Sequence, residues 1–373
     1  MRQLVALAAA GGDAFPGRLT AAWDDGDAVL PVDPRLPAAA RRRLLEHLRP
    51  SALVDPDGGR TGLARGVPVD EGDALVVATS GSTGEPKGVV LTHDAVAASA
   101  RATTARLGVD RGDHWLACLP LAHVGGLGVV TRALASGTAL TVHDGFDAGA
   151  VTAAAGRGVT LVSLVATALA RIDAALFRTV VLGGSRPPAA RPANVVTTYG
   201  LTETGSGVVY DGVPLDGVEV RIVDGTVELR GPMLLRAYRS GHDPKSADGW
   251  LPTGDAGAWD GRRLTVMGRR ADMIITGGEN VWPEAVEQAL ARHPQVAEVA
   301  VAGRPDPEWG QRVVAFVVPA TASRPPVLGE LRAAVAARLP SYAAPRQVVL
   351  VDALPRTSLG KLARHRLPPG PDA

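Results

Sequence analysis

Thr79-Ser80-Gly81-Ser82-Thr83-Gly84-Glu85-Pro86-Lys87-Gly88 is the stretch on which the reading of this chain turns. Four hydroxyl residues, three glycines and a lysine fall within ten positions, directly after the apolar run Ala74 to Ala78. Glycines let backbone N–H groups approach phosphate oxygens, hydroxyls add donors, and Lys87 adds a mobile positive charge. The segment therefore reads as a phosphate loop. It is not a Walker A loop, because Lys87 stands between Pro86 and Gly88 instead of inside Gly-Lys-Ser/Thr. A polar surface turn would need no such density of donors.

Outward from this loop, apolar runs of strand length alternate with Ala-rich stretches of helix length. Strands are expected at Ala74 to Ala78, Trp115 to Leu119, Thr138 to Val142, Thr160 to Leu164, Thr179 to Leu182 and Val195 to Thr198. Helices are expected near 94 to 107, 125 to 135 and 166 to 175. The alternation predicts βαβ units and a mainly parallel sheet. After Gly200 the texture becomes antiparallel, with Val218 to Val223 and Thr226 to Arg230 joined by the turn pair Asp224-Gly225 and a second such pair at Asp260-Gly261. From Met273 an α+β pattern begins: a strand, a helix opening at Pro283, strands near 296 to 302 and 313 to 318, a helix near 328 to 338 and a strand near 347 to 351. The expected fold is α/β, with a large domain at 1–268 and a small mobile α+β domain at 269–373.

Bulk properties bound the function. The chain has 373 residues, enough for about two domains, and its 46% hydrophobic content suits a packed core. Lys plus Arg number 39 against 38 for Asp plus Glu, so no overall field exists to hold nucleic acid or an anionic membrane. Any anion site must be local. The basic run Arg41 to Arg43 reads as the solvated face of a helix whose buried side is Leu44, Leu45 and Leu48. The single cysteine, Cys118, has no partner for a disulfide and fits a reducing cytoplasm. The opening MRQLVALAAAGG resembles a weak leader, but its apolar run is short, and no stretch is long and apolar enough to span a bilayer.

Four further motifs follow the loop in order: Tyr199-Gly200-Leu201-Thr202-Glu203-Thr204; Thr253-Gly254-Asp255; Gly268-Arg269-Arg270-Ala271-Asp272 with Gly277-Gly278-Glu279-Asn280; and Pro355-Arg356-Thr357 with Gly360-Lys361. With them the sequence resembles the adenylate-forming superfamily of acyl-CoA synthetases, peptide-synthetase adenylation domains and firefly luciferase. The resemblance covers residues 79 to 361 and implies an acid–thiol ligase that uses ATP, Mg2+ and coenzyme A. An acyl-adenylate forms first, and the acyl group then passes to a thiol.

The resemblance also assigns roles. A carboxylate attacking the α-phosphorus of an anionic nucleotide needs positive charge and fixed geometry more than a base. Lys361 would bridge the acyl oxygen and the α-phosphate. Glu203 would hold Mg2+, a hard cation that prefers carboxylate oxygen. Thr202, Thr79, Ser80, Gly81, Ser82, Thr83, Gly84 and Lys87 would contact phosphate. Tyr199 and Gly200 would lie along the adenine beside backbone from Gly183 and Gly184. Asp255 would accept from the ribose hydroxyls and Arg269 would reach ribose or phosphate. His123 would border the acyl pocket, although a lone histidine among apolar residues is as often structural. Relatives rotate the small domain between half-reactions, presenting first the Lys361 loop and then Gly277, Gly278 and Glu279. The hinge position is commonly Asp or Lys in the family and is Ala271 here.

Only 78 residues precede the phosphate loop, which implies a shortened N-terminal subdomain. Short chains of this type resemble o-succinylbenzoate–CoA ligases of menaquinone biosynthesis, and so do Pro31-Val32-Asp33-Pro34-Arg35-Leu36, Leu119 to Leu127 and Ile274 to Asn280. That substrate carries a second carboxylate, for which Arg132 is the candidate cation; an arginine snorkelling from a helix surface is the alternative. Small residues at Ala166 to Ala170 would leave room for an aromatic ring. Partners are then a carboxylic acid and CoA, with a homodimer left open. Three alternatives remain: a ligase for another aryl or short acyl acid, a free-standing enzyme loading a carrier protein, and a nucleotide-binding pseudoenzyme.

Overall fold

Leu4 to Leu7 are buried and Ala8 half-buried, the pattern of a strand covered on both faces. In the computed structural model, which describes residues 2–80, 86–184, 190–356 and 362–369, this run is β1 (Leu4–Ala8). It pairs in parallel with β2 (Ala28–Val32) and β3 (Ala52–Val54). The N-terminal run that resembles a leader is thus an interior strand.

The first sheet runs β16-β6-β5-β2-β1-β3-β4, with β4 at Arg60–Gly62, β5 at Asp73–Ser80, β6 at Pro86–Thr92 and β16 at Ala237–Tyr238. Helices α1 (Ala14–Asp24) and α2 (Ala38–Leu48) belong to the same region. On α2, Leu44 and Leu48 are buried while Arg41, Arg42 and Arg43 are exposed, as the helical spacing requires. β5 and β6 form an antiparallel hairpin, with Thr79 opposite Lys87 and Ser80 opposite Pro86 at the end that residues 81–85 connect. The glycine-rich segment therefore joins two strands of a hairpin rather than a strand to a helix.

The second sheet runs β13-β12-β11-β10-β9-β7-β8. Its strands are β7 (His114–Ala117), β8 (Ala139–Val142), β9 (Leu161–Leu164), β10 (Thr179–Leu182), β11 (Val195–Gly200), β12 (Gly207–Tyr210) and β13 (Val213–Pro214). β7 to β11 pair in parallel, and β12 returns antiparallel to β11. Helix α3 (His93–Leu107) leads from β6 of the first sheet to β7, and α4 (Val124–Ser136) and α5 (Ala148–Gly156) supply crossovers. Thr92 caps α3 by accepting from the Ala95 N–H at 3.1 Å. The helix expected at 166 to 175 is shorter: α6 covers only Ala166–Leu169, and a separate 3-10 turn follows at Ala174–Leu176. The Asp173 carboxylate accepts from the Ala175 N–H at 2.9 Å, a local bond that competes with helix continuation.

The chain divides into two compact units, Met1–Val220 with Glu228–Leu251 and Asp260–Leu264, and Arg221–Val227 with Pro252–Trp259 and Thr265–Ala373. A four-stranded sheet, β14 (Glu219–Val223), β15 (Thr226–Arg230), β17 (Leu251–Trp259) and β18 (Leu264–Arg269), has residues in both. Asp224 and Gly225 both have positive φ, 48° and 74°, the primed turn that matches strand twist.

The second unit contains the sheet β20-β19-β22-β21, with β23 beside β22. These strands are β19 (Ile274–Thr276), β20 (Glu279–Val281), β21 (Val296–Asp306), β22 (Gly310–Pro319) and β23 (Gln347–Leu350). Helices α7 (Pro283–Leu290) and α8 (Leu328–Ala336) bury Val286, Leu290, Leu331 and Val335 against Val301, Val313 and Val317. Pro283 occupies the first helical position of α7. No helix among the described residues is long and apolar enough to cross a membrane.

Candidate active site

In the first unit the carboxyl ends of β9, β10 and β11 lie side by side, the edge where open parallel sheets place ligands. Gly183 and Gly184 follow the end of β10, and Gly184 takes φ +85°, a left-handed conformation that suits glycine. β11 ends in Tyr199 and Gly200. A Cβ on Gly200 would lie 2.1 Å from the Ser206 carbonyl oxygen, so the backbone passes there only as glycine. The turn Thr202–Thr204 is locked from within: Thr204 is fully buried, and its hydroxyl accepts from the Leu201 N–H at 2.9 Å. That lock holds Glu203 and Thr202 half-buried at the sheet edge.

Glu203 is fixed by a residue the sequence reading did not select. Tyr238 Oη donates to Glu203 Oε1 at 2.9 Å. Burial, and then the neighbouring Glu203 charge and hydrogen bond, push the Tyr238 hydroxyl well above its usual range, so it stays a donor. Lys87 Nζ stands 5.2 Å from the centre of the Tyr238 ring. Lys87, Tyr238 and Glu203 thus form one connected line, and β16 positions it by pairing Tyr238 with Val89. No motif marks Tyr238; only the pairing of β16 with β6 reveals it. The free oxygen of Glu203 suits Mg2+, which keeps waters and substrate phosphates and needs few protein carboxylates.

Helix α4 carries the two candidate acyl residues. His123 is its N-cap and half-buried, and Gly126 lets the first turn press against the Leu119 carbonyl, 2.3 Å from where a Cβ would sit. Arg132 is not a snorkelling surface arginine: it is 3% exposed, donates to Ser206 Oγ, and lies 5.8 Å from the centre of the Trp115 ring. Among the described residues no carboxylate pairs with it, and its Nε has no partner. Trp115 Nε1, Ser163 Oγ and Thr198 Oγ1 are likewise buried and unpaired. Pairing of Trp115 with Leu161, Ser163 with Val181 and Val181 with Val196 puts these three side chains on one sheet face, the face that packs against α4. Such a concentration of unsatisfied polar groups is unusual for a closed core. Cys118 is fully buried nearby in the chain, and burial pushes its thiol up to about 12, which removes it as a nucleophile.

In the second unit Asp255 and Arg269 meet. Arg269 Nε lies 2.9 Å from Asp255 Oδ1, and Arg269 also donates to the Thr253 carbonyl at 3.0 Å. Asp255 is 5% exposed and its N–H donates to Thr253 Oγ1 at 3.1 Å. Gly277 and Gly278, with φ +58° and +83°, form the turn that pairs Thr276 with Glu279. The Gly277 N–H donates to the Trp309 carbonyl at 2.9 Å, and the indole presses on Gly277. Glu279 is exposed. Gly81, Ser82, Thr83, Gly84 and Lys361, and the side chain of Ser80, lie outside the described residues.

The family model of AMP-binding enzymes matches residues 60–238, and that of the AMP-binding enzyme C-terminal domain matches residues 285–361. A probable 2-succinylbenzoate–CoA ligase of Mycobacterium tuberculosis is 42% identical over 329 residues, 81% of this chain and 85% of the relative. The chain belongs to the AMP-binding enzyme family. A 2-succinylbenzoate–CoA ligase of Enterococcus faecalis is 33% identical across 79% of this chain and 69% of its own length. An o-succinylbenzoate CoA synthetase from Bacillus subtilis, solved with its acyl-adenylate intermediate, superposes with a TM-score of 0.86 at 28% identity, covering 98% of this chain and 88% of that one. The AMP-binding family thus accounts for the large α/β unit and the small α+β unit together.

Proposed function

We propose that this AMP-binding enzyme is an o-succinylbenzoate–CoA ligase. One carboxylate of the acid attacks the α-phosphorus of ATP and pyrophosphate leaves. The CoA thiol then attacks the acyl carbon, a C–S bond forms, and AMP leaves. Relatives at 33% and 42% identity carry the same name, and the ligand of the Bacillus subtilis structure is an acyl-adenylate.

The observation that carries the substrate is Arg132. A buried guanidinium with no carboxylate partner among the described residues is costly, and a second carboxylate on the acid would neutralise it. A monocarboxylate substrate would leave that charge stranded. Lys87, Glu203 and Thr202 would face the phosphates, Tyr199, Gly183 and Gly184 the adenine, and Asp255 and Arg269 the ribose. Lys361 would stabilise charge during adenylation. Mg2+ held at Glu203 would offset phosphate charge. A single buried cysteine supports a cytoplasmic setting.

A substrate panel tests the reading. Purified protein with ATP, Mg2+ and CoA should release AMP and form thioester faster with o-succinylbenzoate than with benzoate, acetate or a long-chain acid. A preference for any of the latter three overturns the substrate. Transfer to a carrier protein but not to CoA overturns the acceptor.

A further inference from the structure

Arg364 stands three residues after Lys361, and within the small unit its guanidinium is the meeting point of four elements. Its Nη2 donates to both carboxylate oxygens of Glu287 on α7, at 2.7 Å to Oε1 and 2.8 Å to Oε2. The guanidinium lies 3.2 Å from Glu284 Oε1, one helical turn earlier, and 3.6 Å from Asp272 Oδ2. Its Nε donates to the Val301 carbonyl of β21 at 3.2 Å, while the Val301 N–H donates back to Glu287 Oε1 at 2.8 Å. The Arg364 side chain is only 17% exposed, so these contacts are made largely out of water.

The described residues on either side of 357–361 are tied as well. Arg356 and Leu362 form an antiparallel bridge, the Ala363 N–H donates to the Pro355 carbonyl at 2.9 Å, and Arg356 pairs with Glu298 on β21 at 2.6 Å. Asp272 closes the 3-10 turn Arg270–Asp272 and directly follows Ala271, the hinge position implied by the family resemblance. Glu284 also touches this region, since a Cβ on Gly268 would lie 2.4 Å from its Oε2.

Charge explains why one arginine matters here. Three carboxylates surround one guanidinium, so the cluster is anionic in excess. Burial raises the Glu287 carboxyl above its usual range, and the Arg364 charge is the main influence opposing that rise. Without Arg364 the carboxylates would repel one another, and the stem after Lys361 would lose its side-chain links to α7 and Asp272.

We propose that Arg364 is a positioning residue for adenylation, tying the described stem that follows residue 361 to α7 and to Asp272. The proposal rests on the assignment of Lys361 above. Displacing a charge-stabilising group by about 1 Å can cost up to about 100-fold in rate. Arg364→Leu should therefore lower kcat for acid-dependent pyrophosphate release by between about tenfold and that limit. KM for ATP and for the acid should hold within about twofold, because the Arg364 guanidinium is taken up by Glu287, Glu284, Asp272 and Val301. Thioester formation from preformed acyl-adenylate and CoA should be retained. Arg364→Lys keeps the charge but not the separate nitrogens that reach Val301, Asp272 and the two glutamates, so it should recover part of the lost kcat.

A merely structural arginine would lower both half-reactions together, and that result overturns the proposal, as does unchanged adenylation. If Arg364→Leu does not fold, Glu287→Gln removes the carboxylate acceptor with little change of shape and should give the same kcat-only pattern at smaller size. Its absence is equally fatal. Lys361→Ala run in parallel separates the two layers. If it shows no selective adenylation loss, the assignment of Lys361 fails and takes this proposal with it; if it does while the Arg364 and Glu287 variants do not, only the positioning role fails.

Discussion

Tyr238 and Glu203 are 35 residues apart in sequence and joined by a 2.9 Å hydrogen bond from phenol to carboxylate. The bond fixes one oxygen of Glu203, and the other is the proposed ligand to Mg2+. Tyr238→Phe removes the donor with little change of shape, and one hydrogen bond to a charged group is worth about 1.5–3 kcal/mol. The expected result is an increase of about tenfold in the Mg2+ concentration for half-maximal pyrophosphate release, with folding intact. Glu203→Gln should cost more than Tyr238→Phe; an Mg2+ dependence untouched by either change removes Glu203 from the metal.

Arg132 should trade stability for specificity. On the proposed role, Arg132→Ala removes a charge-assisted contact to the distal carboxylate and should lower kcat/KM for o-succinylbenzoate by about 10- to 100-fold, while a neutral-tailed analogue changes little. Arg132→Met fills similar volume without an unpaired buried charge, so thermal unfolding should shift upward or stay level while activity falls. Equal losses for both acids, or a clear drop in Tm for Arg132→Met, would show that the guanidinium supports the fold.

How much of this was legible follows from where the information sits. Local patterns carried the strands and helices well: Thr179–Leu182 and Thr226–Arg230 were readable to the residue, and Pro283 marked its helix start. The 166 to 175 helix failed because Asp173 makes a local bond that composition does not show. The interior role of Leu4–Ala8 was hidden for a similar reason, since a short buried strand and a short leader share one apolar pattern. At the site, motif residues were readable because their chemistry depends on type and spacing. Tyr238 and Ser206 were not, because each matters only through long-range pairing that brings it to Glu203 or Arg132.

Acid should act on a second pair. Asp113, 5% exposed, receives both Arg178 Nε at 2.8 Å and Thr160 Oγ1 at 2.7 Å. Burial alone would raise its carboxyl, but the hydrogen bonds from Arg178 and Thr160 outweigh it and hold the group below the usual carboxylate range. Its contribution is then whole above the unfolded value of about 3.9 and is lost as pH falls through the lower folded value. Asp113→Asn should cost about 1–2 kcal/mol at pH 7, since Arg178 is partly solvated, and should flatten the acid limb of stability below about pH 4. Denaturant midpoints across pH 2 to 7 measure this; parallel curves for both proteins would place the acid sensitivity elsewhere.

Gly277 and Gly278 differ in what a side chain would meet, and the difference lets the thiol step be tested apart from folding. A Cβ on Gly277 would strike the Trp309 ring at 2.8 Å, so substitution there disturbs the unit itself. At Gly278 a Cβ meets nothing within 4 Å, and the local penalty is the φ of +83°, about 1–2 kcal/mol for an L residue. Gly278→Asn tolerates that φ better and serves as the control for strain. If this turn faces the incoming pantetheine arm, Gly278→Leu should leave acyl-adenylate formation near normal and slow thioester formation by at least about tenfold, with Gly278→Asn between the two. Lys361→Ala should do the opposite, because the proposed bridge from Lys361 to the acyl oxygen and the α-phosphate serves carboxylate attack on ATP, whereas the thiol step starts from the finished adenylate. Single-turnover assays of each half-reaction, the second started from preformed adenylate, read the four proteins directly. If Gly278→Leu and Gly278→Asn slow both half-reactions alike, the turn serves one undivided site and the assignment of separate loops to separate steps is wrong.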